Sequence, residues 1–471
     1  MAAPGAEPRE GSARVFARRR GCVPGMLTLL PDDGYSVAVR TPSAGPAKEG
    51  GATGDDQQRT DFPAYASNVT GLDSGPGRSW LTADAIAAVR DEHDRAFDDA
   101  EYEQRLTSVR DRMARGGMDA MLAFRPSSVE YLCGYHTAET APQPLLVTGS
   151  ATYLYVPDLE LGRALASARV DNVRYCGYAD ALRGLEAFLE HAAGVLPAGA
   201  RVGIEVGHAS TPPHAVEYLR GSRVTVVRGE HLVETVRLRL SEAEVRCVAE
   251  AAEHTRAGVD AAVAAAREPE ATDSSVAGAI SAALFDGANS ASAWGPVVAT
   301  GVRGGIPHSS WSHRRLGPGT TFLEFSGAHH RYHAPVMRTL AHGPPGPDER
   351  VLAELAETAV AAVLDTARAG VSCADVANAA AAALGPLPDG VVFHHLFGYP
   401  VGLAHKPHWM DGAPFYITRD NPEPLEAGMV FHIPASFRYL GRCGVGLSQT
   451  FLVTETGARV LTHGAAQLTV L

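Results

Sequence analysis

One acidic residue stands out in the segment FLEFSGAHHRYHAPVMRTL, residues 322–340. Glu324 lies between Leu323 and Phe325, in a run that is typical of a β-strand. A carboxylate buried in such a strand without a partner costs free energy, and a desolvated carboxylate suits nucleophilic or acid–base chemistry. Alternatively, strand alternation turns Glu324 towards solvent while its neighbours point inward. The segment alone leaves both possibilities open.

Histidines are concentrated in the same part of the chain, since eleven of the nineteen fall between His308 and His432. Imidazole is a common metal ligand and carries protons near neutral pH. However, no HxxxH pair lies on a predicted helix, and no cysteine and histidine have the spacing of a zinc site. Most of these histidines are therefore expected to be core or surface residues held by hydrogen bonds.

The composition argues against several classes of partner. The formal net charge is -12 and no basic stripe is present, which disfavours nucleic acid and anionic membrane. The six cysteines contain no CxxC pair, so a reducing cytoplasm is expected. No apolar run is long enough to span a bilayer, and the basic segment ARVFARRRGC is not followed by the apolar region of a signal peptide.

Two domains and an extension are predicted from the order of the patterns. Residues 1–94, rich in Gly, Pro, Ala and Asp, are expected to be a disordered or loosely docked extension, with at most a short strand or helix, or an upstream segment from a misassigned start. Residues 95–235 alternate strands and helices, which indicates a small α/β domain. Residues 236–471 begin at a capping box, Ser241 with Glu244, and twice show two helices followed by strands. The closing strands are GMVFHIPASF and GVGLSQTFLVTETG.

Several segments, in a fixed order, resemble the creatinase/aminopeptidase P family over about residues 95–471. They are AMLAFRPSSVEYLCGYH, IPHSS, FLEFSG with RYHAPVMRTL, GYPVGL, LEAGMVFHI and TFLVTETG. The resemblance implies an α+β fold, in which a pita-bread C-terminal domain follows a small creatinase-type α/β domain. It also implies a homodimer in which each N-terminal domain reaches the neighbouring site.

The metallopeptidases of this family hold two metal ions with two Asp, one His and two Glu. By the resemblance, these five positions fall on Glu324, Pro335, Tyr399, Pro434 and Ser448. Proline offers no side-chain ligand, and one carboxylate does not hold a divalent ion tightly because such sites take several protein ligands. We therefore expect no metal ion and no other cofactor.

The same segments resemble the ectoine hydrolase branch of the family, which has lost these ligands and opens a cyclic amidine with a Glu nucleophile. The resemblance implies that Glu324 is the nucleophile and that His308, His333 and His432 face the site as candidate proton carriers. The residues expected to bind substrate are Tyr399, His408, Trp409, Asp411 and Gln449. Departures from that branch at His408, Met410, Asp411 and Gln449 leave the identity of the substrate open.

The resemblance thus implies a metal-independent hydrolase that breaks a C–N bond in a small cyclic amidine or amide. The substrate is expected to be cationic or zwitterionic, with His333 or His432 managing the ring-nitrogen proton. Two alternatives remain. One is a cyclase, dehydratase or lyase of a specialised biosynthetic pathway, because ring opening and closing share a transition state. The other is a non-catalytic pita-bread binding module.

Overall fold

The computed structural model describes residues 60–61, 68–73, 79–91, 96–138, 140–286 and 291–471. Most of the predicted extension lies outside the described residues. Part of it belongs to the N-terminal domain, because β2 (Asn68–Gly71) pairs in parallel with β6 (Asn172–Cys176). Nowhere in the described ranges is a helix both long enough and apolar enough to cross a membrane.

The N-terminal domain is built on a mixed sheet with the strand order β1-β2-β6-β5-β4-β3-β7-β8. Its other strands are β1 (Thr60–Asp61), β3 (Ala120–Ala123), β4 (Leu145–Thr148), β5 (Thr152–Pro157), β7 (Arg201–Ile204) and β8 (Thr225–Arg228). Its helices are α1 (Ala83–Asp91), α2 (Asp99–Arg115), α3 (Pro126–Cys133), α4 (Leu161–Ser167), α5 (Ala181–Gly194), α6 (Pro213–Arg220) and α7 (Leu232–Val236). Strands and helices alternate along the chain, as the sequence pattern predicts.

The C-terminal domain repeats a unit of two helices followed by strands. Its helices are α8 (Glu242–Ala266), α9 (Asp273–Leu284), α10 (Pro347–Thr366) and α11 (Cys373–Leu384). Its first strands are β9 (Val297–Thr300), β10 (Gly319–His329), β11 (Tyr332–His342), β12 (Val391–Val392) and β13 (Tyr399–Pro400). The chain closes with β14 (Val430–His432), β15 (Ala435–Tyr439), β16 (Cys443–Leu447), β17 (Thr450–Val453), β18 (Ala458–Val460) and β19 (Thr469–Val470). The predicted α+β fold class is confirmed.

The predicted capping box begins the C-terminal domain. The Ser241 hydroxyl accepts a hydrogen bond from the Glu244 N–H at 3.2 Å, and the Glu244 carboxylate accepts one from the Ser241 N–H at 2.8 Å. This pairing satisfies two amide groups at the start of α8 that have no partner within the helix. Helices α8 and α9 then pack on one face of β10 and β11.

Two closing segments that were predicted as continuous strands change sheets in the middle. The first divides into β14 and β15 at Ile433 and Pro434, and the second divides into β16 and β17 at Ser448 and Gln449. Strands β14 and β17 belong to the sheet β13-β14-β17-β18, whereas β15 and β16 belong to the sheet β12-β15-β16. Pro434 suits such a break because it has no N–H to donate to a ladder.

Buried ion pairs join the two domains and hold the loop that follows β13. The Arg125 Nε–H donates to Asp411 Oδ1 at 2.7 Å, and the same guanidinium donates to the Asp411 carbonyl at 2.6 Å and pairs with Glu234. Arg237 donates to the Leu403 carbonyl. Arg125, Glu234 and Arg237 are buried and Asp411 is partly buried, so each depends on its partner to offset the cost of desolvation. The loop that carries His408 and Trp409 is therefore fixed together with the domain interface.

Strand β10 and helix α8 approach each other at Gly327. A Cβ atom there would lie 2.4 Å from the Ala251 carbonyl oxygen and 2.7 Å from both His254 Cβ and the Thr255 nitrogen. Two of these three atoms are backbone, which cannot move aside as a flexible side chain does. The position requires glycine because of this contact.

We predict that Gly327→Ala lowers the free energy of unfolding by about 2 kcal/mol or more, because the added methyl group forces the strand and helix apart. Gly278→Ala in α9 is the matched control, since nothing lies within 4 Å of a Cβ there. That variant should be stabilised by roughly 0.5–1 kcal/mol through helix propensity. Urea denaturation of both variants measures the effect, and equal stability would contradict the close packing of β10 on α8.

Candidate active site

A cavity of about 490 Å³ opens between the sheets of the C-terminal domain. Its size falls in the range of small-molecule sites. It is lined by Pro307, His308, Glu324, Met337, Phe393, His394, Leu396, Tyr399, His408, Met410, Pro434, Ser436 and Arg438. Four of the predicted site residues are therefore brought together: Glu324, His308, Tyr399 and His408.

Strand alternation divides β10 between the cavity and the helices. Leu323 and Phe325 belong to the core formed with α8 and α9, whereas Phe322 and Glu324 point to the opposite side. Both sides are covered, so Glu324 is only 3% exposed, and the solvent-facing alternative does not apply. The position of the carboxylate at the cavity wall follows directly from this alternation.

The Glu324 carboxylate is buried without a compensating hydrogen bond at Oε2. Burial raises the pKa of Glu324 to about 7, and the positive charge of Arg438 limits the rise. A carboxyl group with a pKa near neutrality exists in both protonation states at physiological pH. Such a group can serve as a nucleophile or as an acid and base.

Arg438 is a site residue that the sequence analysis missed. It lies on β15, is 7% exposed and lines the cavity, with its guanidinium 5.2 Å from the centre of the Phe322 ring. Burial lowers the pKa of Arg438, and the negative charge of Glu324 opposes that shift. The sequence does contain a clue, because Arg438 is a charged residue in the largely apolar strand segment ASFRY, as Glu324 is in its own strand.

Tyr399 and Trp409 form a hydrogen-bonded pair at one side of the cavity. The Trp409 Nε1–H donates to the Tyr399 hydroxyl at 2.9 Å, and both rings are buried. Burial, together with the negative charge of Glu324, raises the pKa of Tyr399 well above its ordinary value, so the phenol stays neutral. Tyr399 reaches the cavity, whereas Trp409 supports it from behind, outside the cavity lining.

His308 and His408 belong to an aromatic cluster with Trp294. The ring centre of Trp294 is 5.4 Å from that of His308 and 4.7 Å from that of His408. Burial and the charge of Arg438 lower the pKa of His308, while burial and the charge of His308 lower that of His408 to about 4. His408 Nδ1 accepts from the Met410 N–H at 2.9 Å. Among the predicted catalytic histidines, His308 is the one placed on the cavity wall.

The structure places His333 and His432, which were predicted as proton carriers, outside the cavity lining. His333 is fully buried, and its Nε2 accepts from the Ala293 N–H at 2.9 Å. His432 is also fully buried and lies 5.2 Å from the Tyr399 ring, centre to centre, outside the cavity lining. Burial lowers the pKa of His333 to about 4 and that of His432 to about 3. Both imidazoles are therefore neutral at neutral pH, and each keeps one buried ring nitrogen without a hydrogen-bond partner, Nδ1 of His333 and Nε2 of His432.

Asp411 and Gln449, which were predicted to bind substrate, also lie outside the cavity lining. Asp411 belongs to the domain interface described above, where Arg237 and Arg125 hold the pKa of its carboxyl below the ordinary value against the opposing effect of burial. Gln449 donates from Nε2 to the Gly464 carbonyl at 2.7 Å and accepts from the Thr462 hydroxyl at 2.5 Å. Each side chain is occupied by structural contacts.

The side chains at the family's metal-ligand positions do not suit a metal ion. The Ser448 hydroxyl accepts from the Met337 N–H at 2.5 Å, and Tyr399 accepts from Trp409. Pro335 and Pro434 have no side-chain donor atom, which leaves Glu324 alone. Over the described ranges, no group of three or more His, Cys, Asp or Glu is arranged to hold an ion. No chemical step is therefore derived through a metal.

Two family models match the chain in sequence. Residues 105–239 match the creatinase/prolidase N-terminal domain, and residues 246–455 match metallopeptidase family M24. The boundary between the two matches falls next to the start of α8. Together the models cover both domains.

Individual relatives agree with this assignment. The chain is 29% identical to the uncharacterized hydrolase/peptidase y4tM of Sinorhizobium fredii. The 392 aligned residues make up 79% of this chain and 98% of that protein. It is 35% identical to the ectoine hydrolase of Halomonas elongata over 179 residues, 36% of this chain and 43% of that enzyme. The crystal structure of dipeptidase PepE from Mycobacterium ulcerans superposes with a TM-score of 0.68 at 26% identity, over 80% of this chain and 99% of that one. The chain belongs to the creatinase/aminopeptidase P superfamily, with the pita-bread fold, and within it to the hydrolases of family M24.

Proposed function

We propose that this protein hydrolyses a C–N bond in a small cyclic amidine or amide without a metal ion, with Glu324 as the nucleophile. The observation that carries the proposal is the Glu324 carboxylate, which is buried at the cavity wall with no hydrogen bond to Oε2. The partial similarity to an ectoine hydrolase supports the same substrate class. The proposed site therefore consists of Glu324 with the cavity-lining groups around it.

The reaction proceeds in two stages with one water molecule consumed. In the first, a Glu324 carboxylate oxygen bonds to the electrophilic ring carbon, a proton reaches the ring nitrogen, and the C–N bond breaks to leave an amine. In the second, water adds to the same carbon, the bond to Glu324 breaks, and the ring-opened amide leaves with the carboxylate restored. An amidinium carbon is a better electrophile than a neutral one, and its charge is stabilised beside the carboxylate.

His308 is the proposed carrier of the ring-nitrogen proton, in place of His333 and His432. It lies on the cavity wall, and its lowered pKa keeps the imidazole neutral at neutral pH. A neutral imidazole can take a proton from the amidinium nitrogen that stays bonded to the carbon and deliver it to the ring nitrogen that leaves. Its backbone has a φ of 56°, in the left-handed region that residues other than glycine rarely occupy. Tyr399 presents a neutral hydroxyl from a rigid, Trp409-supported position and is proposed to orient the substrate.

The two alternatives predict different products. A substrate screen with purified protein, read by mass spectrometry, separates them: hydrolysis adds one water to a cyclic amidine, whereas a cyclase removes one from an open-chain amide. Binding without any change in mass would favour a non-catalytic module.

The homodimer and the cytoplasmic location are also proposals. Gel filtration with light scattering would test the first, and cell fractionation would test the second.

Glu324→Gln should lower turnover by several orders of magnitude, because the amide keeps the shape of the side chain but cannot form the adduct. Wild-type protein quenched during turnover should carry an adduct on the peptide that contains Glu324, seen by intact-mass analysis and peptide mapping. His333→Asn is the control, since His333 lies outside the cavity lining. Turnover without an adduct, together with a near-normal rate for Glu324→Gln, would contradict the nucleophilic role.

The pKa of Glu324 predicts opposite effects of pH on activity and on stability. The nucleophile must be ionised, so kcat/KM should rise as the pH increases through about 7. The pKa of Glu324 rises from 4.5 to about 7 when the chain folds. The free energy of unfolding of the wild type therefore falls as the pH increases from 4.5 to about 7, whereas that of a protein with a neutral side chain at this position does not.

Glu324→Gln should therefore be more stable than wild type by roughly 3 kcal/mol at pH 8 and equally stable below pH 4.5. The figure follows from the pKa shift, because each pKa unit corresponds to about 1.4 kcal/mol. Urea titrations at several pH values measure this gain and also establish that the variant folds. A wild-type protein as stable as the variant at pH 8 would contradict the uncompensated burial of the carboxylate.

Purified protein should contain no stoichiometric transition metal, and a chelator should leave its activity unchanged. The reason is the chemistry of Pro335, Tyr399, Pro434 and Ser448, which supply no available ligand atoms. Elemental analysis after purification without chelators is the measurement. One or two equivalents of Mn, Fe, Co or Zn, with activity lost on chelation, would contradict the metal-independent mechanism.

A further inference from the structure

The residues beside Glu324 in the sheet are apolar on both sides. Glu324 lies directly opposite Met337 on β11 and directly opposite Val297 on β9. Residues that lie opposite one another in antiparallel strands point to the same side of the sheet. The side chains of Met337 and Val297 therefore flank that of Glu324.

Phe322 adds a third apolar side chain, because it lies two residues before Glu324 on β10 and points to the same side. Val297, Phe322 and Met337 pack together as a separate buried cluster, and none of them is more than 6% exposed. We call these three residues the apolar collar. The Phe322 ring is packed tightly against β16, where a Cβ atom on Gly446 would lie 2.2 Å from a carbon atom of the ring.

The collar gives the Glu324 carboxylate no hydrogen bond. The side chains of Val297 and Phe322 are hydrocarbon, and the thioether of Met337 has no proton to donate. This composition accounts for the buried Oε2 atom of Glu324, which has no hydrogen-bond partner. An ionised carboxylate loses more than a neutral one when water is withheld, so the collar favours the protonated form.

The charged and titratable groups around Glu324 do not offset this loss. Arg438 attracts the carboxylate from β15, but the two groups form no ion pair in the part of the chain that the structure describes, and desolvation outweighs the attraction. Tyr399 lines the cavity from β13 and stays neutral. Helices α8 and α9 pack on the opposite face of β10, so their charged residues do not face Glu324. The other titratable residues of the cavity lining are His308, His394 and His408.

Met337 is the member of the collar that reaches the cavity. It lines the wall together with Glu324, whereas Val297 and Phe322 lie outside the lining. The Met337 N–H donates to the Ser448 hydroxyl at 2.5 Å, so the backbone at this position is held independently of the side chain. A different side chain at position 337 would therefore change what surrounds the carboxylate while the strand keeps this contact.

We propose that Met337 controls the ionisation of Glu324 by withholding water and hydrogen bonds from its carboxylate, and thereby sets the lowest pH at which the nucleophile is available. The consequence for catalysis rests on the proposed function. The effect on the ionisation of Glu324 needs no turnover, so the two parts can be tested separately.

The experiment compares Met337→Gln with Met337→Leu in the full-length protein. Glutamine is nearly as long as methionine, and its amide can donate a hydrogen bond to Glu324 Oε2, which favours the ionised form. Leucine keeps the site apolar and is the matched control. In each background, urea titrations measure how much more stable the Glu324→Gln variant is than the protein with Glu324, and how this difference grows between pH 4 and pH 8.

We expect the growth between these pH values to be smaller by about 1.4 kcal/mol in the Met337→Gln background, which is a fall of one pKa unit for Glu324. The use of a pH difference cancels any contact between the two glutamines, because that contact does not titrate. Met337→Leu should leave the growth unchanged. The acid limb of kcat/KM should likewise move about one pH unit lower in Met337→Gln and stay in place in Met337→Leu.

Two results would overturn the inference: no change of the pH dependence in Met337→Gln, or an equal change in Met337→Leu. Either would mean that Met337 only fills the wall, and a rate lowered by the same factor at every pH has that meaning too. If Met337→Gln fails to fold, Val297→Thr carries the test, because it offers a hydroxyl from the other side of Glu324 in a side chain of the same shape. It should give a smaller change of the same sign, and no change would overturn the inference.

Failure of the proposed function looks different. The pH dependence of stability would then still respond to Met337→Gln, while purified wild-type protein converts no cyclic amidine or amide.

Discussion

The structure of the site depends on two opposite charges that are buried close to one another without forming an ion pair. Glu324 and Arg438 stand on strands of different sheets, and each lacks a hydrogen-bond partner at one buried atom. A direct pair would stabilise the protein more, but it would also occupy the groups that a ligand needs. The two buried charges therefore lower the stability of the folded chain relative to a paired arrangement.

The surrounding scaffold supplies the rigidity that this arrangement requires. Gly327 lets β10 lie against the backbone of α8, which fixes the strand that carries Glu324. The paired Arg125 and Asp411 hold the loop that positions Trp409, and Trp409 in turn holds the Tyr399 hydroxyl. Glu324 and Tyr399 are thus each held by contacts outside the cavity, which favours a fixed geometry before a ligand binds.

The sequence predicted the two-domain fold, because helix periodicity, a capping box and the order of the segments are local properties, and it singled out Glu324, which the structure places at the cavity wall. It did not show that His308, in a turn, lines the cavity whereas His333 and His432, in strands, do not, because alternation along a strand does not show which buried side meets the cavity. Arg438 was missed for a related reason. Its role depends on facing Glu324 from another sheet after the chain changes sheets at Pro434, and that break was predicted as continuous strand.

Ser448 has a consequence for the evolutionary history of the site. Its hydroxyl accepts the Met337 N–H, and the Pro335 carbonyl likewise accepts a hydrogen bond from Thr450. A glutamate at position 448 would take away the hydroxyl that accepts the Met337 N–H, and positions 335, 399 and 434 would still lack the family's metal ligands. A metal site would therefore need several substitutions at once, whereas a residue that lines the cavity, such as Arg438, can change singly without disturbing these backbone contacts.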